Sequence, residues 1–171
     1  MELLLTLDEK NYHEDMPVFE KQVARAIIVR DGRLAMQRCR KGEYKIPGGG
    51  VEPGESRRAT LIREVREETG LLVMPETITE IGEVLEVRED VFSKGTKYIC
   101  HTYYYQCQVE AETVEPELTE CEREKGYEPV WEIPEVIVRE NRKLQAEKPW
   151  RGRDTEFLAR VISGEIKVRG L

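Results

Sequence analysis

The stretch GGGVEPGESRRATLIREVREETGL, Gly48–Leu71, runs from a glycine turn through a short acidic loop into a helix rich in glutamate. Ser56 offers a side-chain oxygen to the orphan N–H groups of a helix start, and Gly70 is a natural stop. The spacing therefore predicts a helix over 57–69. At 100° per residue, Ala59, Ile62, Val65 and Thr69 fall on one face, and Glu64, Glu67 and Glu68 converge within about 100° on the opposite side. Like charges three and four apart destabilise a helix by roughly a few tenths of a kcal/mol per pair, so a cluster of three asks for a neutralising cation. Mg²⁺ or Mn²⁺, which take oxygen ligands, suit such a cluster. Gly48, Gly49 and Gly50 let the backbone turn and approach a ligand, and a carbonyl there could add one more oxygen. The plain competing reading is a solvated, salt-bridged helix, since Arg57, Arg58, Arg63 and Arg66 lie on it and Arg63–Glu67 is an i,i+4 pair.

Spacing decides between the two. Gly49, five residues, Glu55, seven residues, Arg63-Glu64-Val65, one residue, Glu67-Glu68, one residue, Gly70-Leu71 resembles, at every specified position, the box of the Nudix hydrolases, G-x5-E-x7-R-E-U-x-E-E-x-G-U with U a bulky aliphatic residue. With each residue type at roughly one position in fifteen, a chance match falls below about one in a million short chains. The resemblance covers the 23 residues from Gly49 to Leu71. It implies metal-dependent hydrolysis of a nucleoside diphosphate linked to another moiety. By position, it places Glu64, Glu67 and Glu68 on the metal-binding and water-activating carboxylates and makes the Gly48 carbonyl a further ligand. Arg63 would hold the carboxylates, Glu55 would orient, and Gly49 and Gly70 would support the box. The first choice for the base is Glu64, with Glu67 and the 117–128 stretch left open.

Outward from the box, Leu3 to Leu7 reads as a first strand, and 22–30 and 33–39 read as a hairpin about Asp31-Gly32. Residues 40–55 read as loop. Strands follow at 77–88 and 96–109, joined near Lys94-Gly95, and then an acidic loop over 110–128. Val130 to Ile133 reads as a short strand. Pro134 fits the first turn of a helix to about Glu147, with Trp131 packing that helix. Asp154 or Thr155 reads as the cap of a last helix ending near Ser163-Gly164. Mixed strands and helices without strict βα alternation indicate an α+β fold, a Nudix-like α/β/α sandwich on a mixed β-sheet, in one domain over 1–171.

The 171 residues carry a net charge of −7, which argues against general DNA binding. An anionic substrate would need divalent cations and a local basic patch. No apolar run approaches the roughly 18–20 residues that cross a membrane, and the acidic start lacks the basic region of a signal peptide, so a cytoplasmic location is expected. Cys39, Cys100, Cys107 and Cys121 lack metal or redox spacing and read as reduced thiols, and His13 and His101 read as structural. A homodimer is compatible with the sequence.

For gripping substrate, Arg25 is the first choice because it interrupts an apolar run and a charge there needs a partner. Arg38, Tyr44, Arg40, Lys41 and Lys45 follow, and Glu117, Glu120, Glu122, Glu124 and Glu128 are candidates for a metal ligand outside the box. In the strand 98–109, alternation puts Tyr103 and Tyr105 on one face and Tyr104 on the other. The expected function is a pyrophosphohydrolase on a nucleotide or nucleoside diphosphate derivative. The alternatives are an isoprenoid diphosphate isomerase on the same fold and a non-catalytic nucleotide-sensing module.

Overall fold

The computed structural model describes residues 1–145 and 152–171. In chain order the strands are β1 (Leu3–Asp8), β2 (Val18–Ile27), β3 (Val29–Arg30), β4 (Arg33–Arg38), β5 (Tyr44–Lys45), β6 (Gly48–Gly50), β7 (Leu71–Val73), β8 (Thr79–Glu89), β9 (Lys97–Gln106), β10 (Val109–Thr113) and β11 (Glu128–Glu132). The helices are α1 (Arg57–Thr69), α2 (Glu120–Lys125), α3 (Pro134–Gln145) and α4 (Gly152–Ile162). The central sheet has the order β1-β8-β9-β2-β6 and is mixed: β1 and β8 are parallel, β9 and β2 are parallel, and β8–β9 and β2–β6 are antiparallel. A second sheet, β11-β4-β3, carries β5 on β4. The Asp31-Gly32 turn forms as expected, with positive φ at both residues and Val29 opposite Leu34.

Neighbouring residues on the strands alternate between two cores. Ala26, Ile28, Ala35, Tyr103 and Tyr105 face one, and Ile27, Leu34, Met36 and Tyr104 face the other. A sheet that is apolar on both faces must be covered on both. Leu61 and Val65 of α1 cover the first face, and Ile137 of α3 with Phe157 and Leu158 of α4 cover the second. The expected α/β/α sandwich is the observed architecture. The Phe157 ring stacks on Tyr104 with centroids 3.8 Å apart, and burying a ring of this kind contributes on the order of 2–3 kcal/mol.

Several local expectations change. The 40–55 loop contains β5 and β6, because Gly48–Gly50 hydrogen-bonds along Val23–Arg25. The 110–128 stretch is not one acidic loop. It holds β10 paired to β7, and α2, whose Thr119 and Glu122 form a reciprocal capping box. Asp154 and Thr155 lie inside α4, which begins at Gly152, so neither caps it. Trp131 faces α1 rather than α3, since strand alternation gives the α3 side to Val130, and Arg30 lies over its ring at 4.6 Å. The expected end of α3 near Glu147 lies outside the described residues. All four cysteines are free thiols, Cys121 exposed and the others buried. No described helix is long and apolar enough to cross a membrane.

Candidate active site

Ser56 accepts from the Ala59 N–H, and the Gly70 N–H donates to the Arg66 carbonyl, so α1 begins and ends as its sequence predicts. Its buried stripe differs from the expected one. Leu61, Val65 and Glu68 are buried together and Ala59 is exposed. Residues 61, 65 and 68 are spaced i, i+4, i+7, so Glu68 belongs to the inward face and not to the side opposite it. A carboxylate placed there needs partners, and it has them. It accepts from the Gly48 N–H at 2.7 Å and from the Lys45 ammonium. Burial nevertheless pushes its carboxyl pKa above the ordinary value, with Lys45 and Arg25 opposing.

Glu64 and Glu67 stay at the rim of the same face, held by one guanidinium. Arg63 donates to Glu64 at 2.8 Å and to Glu67 at 3.3 Å, and it grips Glu55 with two bonds of 3.0 Å each. Glu55 also accepts from the Thr60 hydroxyl at 2.6 Å. The Arg63 bonds, reinforced by Thr60, pull the Glu55 carboxyl down to about 2. A depressed carboxylate stabilises the fold above its unfolded pKa, and that stabilisation is lost as pH falls through the folded one. Glu55→Gln should therefore unfold at lower urea than wild type above about pH 4.5, and the gap should close as pH approaches about 2. Urea midpoints measured from pH 2 to 7 check this.

The glycine strand is shaped to receive these groups. Gly48 has φ +137°, and a Cβ there would lie 2.0 Å from the Ala24 carbonyl oxygen. At Gly49 a Cβ would lie 2.2 Å from Glu64 Oε1, so the Glu64 carboxylate occupies the room a side chain would need.

A family profile described as NUDIX domain matches residues 20–153, from β2 into the first turn of α4. The chain belongs to the Nudix family. Among similar proteins, the CTP pyrophosphohydrolase of Escherichia coli is 44% identical over 55 residues, 29% of this chain and 41% of that protein. A MutT-like protein of Streptomyces ambofaciens is 32% identical over 80 residues, 46% of this chain and 52% of that protein. The chain thus spans about half the length of these curated relatives. A solved NUDIX hydrolase from Nitrosomonas europaea shares the fold, with a TM-score of 0.54 at 20% identity, covering 79% of this chain and 91% of that one.

Around the Nudix box, the outlying candidates sort differently from the sequence expectation. Arg25 is buried and its guanidinium donates to the Ile46 carbonyl at 2.8 Å and to the Gly48 carbonyl, so it braces the glycine strand. Its Nε has no hydrogen-bond partner among the described residues and stands 3.7 Å from Asp154. Arg38 is exposed and lies 5.6 Å over the Tyr44 ring. Tyr44 is buried, its hydroxyl 3.5 Å from Glu132. From the former acidic loop, two of the five candidates meet the box: Glu117 accepts from Arg66 at 2.8 Å and its N–H donates to the Glu67 carbonyl, while Glu122 lies 3.8 Å from the Lys45 ammonium that pairs with Glu68. The sequence signal of Glu122 was the Thr119-x-x-Glu122 capping box. Arg153 and Asp154 went unrecognised as site residues. Tyr104 donates to Asp154 at 2.7 Å, and Arg153 and Asp154 line a cavity of about 180 Å³ beside the box with Arg25, Glu43, Tyr44, Lys45 and Tyr127.

Proposed function

We propose that the chain is a divalent-metal-dependent pyrophosphohydrolase that cleaves the diphosphate linkage of a nucleotide or nucleoside diphosphate derivative. One observation carries the reading: Glu64 fills the space of the missing Gly49 side chain while Glu68 accepts the Gly48 N–H at 2.7 Å, so the helix carboxylates are docked onto the glycine strand. The donor set of Glu64, Glu67, Glu68 and the Gly48 carbonyl is all oxygen, which suits Mg²⁺ or Mn²⁺. Among the described residues no three acidic groups form a ready-made metal cluster, and Arg63 and Lys45 neutralise the carboxylates instead. These four donors would hold the ion, which when bound offsets phosphate charge and lowers the pKa of a water.

The chain's own residues supply the rest. Glu64 takes the proton of the attacking water, with Arg63 fixing its orientation from 2.8 Å. Lys45 and Arg153 turn positive charge toward the 180 Å³ cavity, where phosphate oxygens gain charge-assisted hydrogen bonds. Tyr44 and Tyr127 line the same cavity and suit a flat base or ring. Likeness to the CTP pyrophosphohydrolase of Escherichia coli supports a nucleotide substrate.

The test is a phosphate- and nucleotide-release screen over nucleoside triphosphates, nucleotide sugars and dinucleotides, with Mg²⁺ and with Mn²⁺. Turnover is expected with at least one class, abolished by EDTA and restored by either metal. No release from any class with both metals would sink the proposal.

A further inference from the structure

A second groove of about 300 Å³ borders Tyr44. Arg38 and Lys41 line one wall, and Arg139, Glu140 and Lys143 of α3 line the other. Four cations meet one carboxylate there, on a chain whose total charge is −7. Glu140 is engaged on its own helix, accepting from Arg139 at 2.8 Å and from Lys143 at 2.9 Å. It therefore leaves the opposite wall uncompensated. Among the described residues neither Arg38 nor Lys41 pairs with a carboxylate. A concentration of like charge on facing walls is unfavourable unless an anion or counter-ions occupy the space between them.

The groove is fixed relative to the box. Asn141 of α3 accepts from the Tyr44 N–H at 2.8 Å and donates to the Tyr44 carbonyl at 2.9 Å, and both bonds are buried. Tyr44 also lines the cavity beside Lys45, so the two spaces share a lining residue. An anion in the groove and a diphosphate at the box would be two parts of one extended molecule.

We propose that the Arg38–Lys41–Arg139–Lys143 groove binds a phosphate carried by the substrate beyond the diphosphate that is cleaved. The enzyme then selects diphosphate derivatives whose far moiety bears an additional phosphate over those that lack it. Arg38 and Lys41 hold that phosphate from the β4–β5 side, and Arg139 and Lys143, presented by Glu140, hold it from α3. This proposal rests on the hydrolase reading, and its experiment has two arms that separate the two.

The first arm needs no turnover. Binding of inorganic tripolyphosphate in EDTA is measured by calorimetry for wild type, R139Q/K143Q and R139E/K143E, with melting curves to check folding. Binding is expected to weaken on the order of tenfold in the neutral variant and further in the reversed one. Equal binding by all three folded proteins overturns the groove. The second arm compares kcat/KM for substrate pairs that differ by one ester phosphate, NADH with NADPH and dephospho-coenzyme A with coenzyme A. Wild type is expected to favour the phosphorylated member about tenfold, and both variants to lose that ratio. A ratio near one in wild type for every hydrolysed pair overturns the proposal. If no pair is hydrolysed, the hydrolase reading fails for these substrates and the tripolyphosphate result alone decides the groove.

Discussion

Glu64→Gln is expected to lower kcat on any substrate the wild type hydrolyses by about 10²–10⁴-fold, with KM and melting temperature little changed. The amide has the shape of the carboxylate, so it still fits against Gly49 and its oxygen still accepts from Arg63. It cannot take a proton from water, and it is a poorer ligand for a hard cation. Glu68→Gln is a less clean test. Glu68 is buried against Lys45, and a neutral amide there would leave that ammonium with Glu122 at 3.8 Å as its nearest carboxylate. Its effect would mix stability with chemistry. Steady-state kinetics with melting curves on both variants separate the cases. An active Glu64→Gln enzyme would remove Glu64 from the chemistry.

Gly48→Ala and Gly49→Ala should fail in opposite ways. At Gly48 a Cβ would sit 2.0 Å from backbone, the Ala24 carbonyl oxygen, and φ of +137° is closed to alanine. Strand β6 must separate from β2, and the loss should reach about 3–5 kcal/mol, a large part of a typical domain's stability. For a chain of this size that is a fall of roughly 10 °C in Tm. At Gly49 the obstacle is the Glu64 carboxylate, the far end of a flexible side chain, at 2.2 Å. It can swing away, so Gly49→Ala should fold with a near-normal Tm and lose most of its activity. Similar melting temperatures for the two variants would contradict this account of the glycine strand.

The parts of the site legible in the sequence are those that a few neighbouring residues decide. Ser56, Gly70 and the glutamate spacing specify α1 and the Arg63–Glu67 pair on it, because a helix brings i and i+4 together whatever surrounds it. Glu68 was legible as a box carboxylate but not as a buried one. Its inward position follows from which stripe of α1 meets the sheet, and the weakly amphipathic helix does not announce that choice. Likewise Thr119-x-x-Glu122 could have revealed α2, but its glutamate-rich surroundings read as a solvated loop.

The amino-acid sequence by itself determined the family, the Asp31-Gly32 turn and the helix α1, since each is written in short-range spacing. Tertiary structure alone decided how the charges are balanced. Lys45 meets Glu68 across 23 residues of chain, Tyr104 meets Asp154 across 50, and Tyr44 meets Asn141 across 97. Such pairings depend on the register of β2 with β6 and β9 and on the docking of α3 and α4. No local pattern encodes them, because one lysine or aspartate in a charge-rich chain looks like any other until the fold removes it from water.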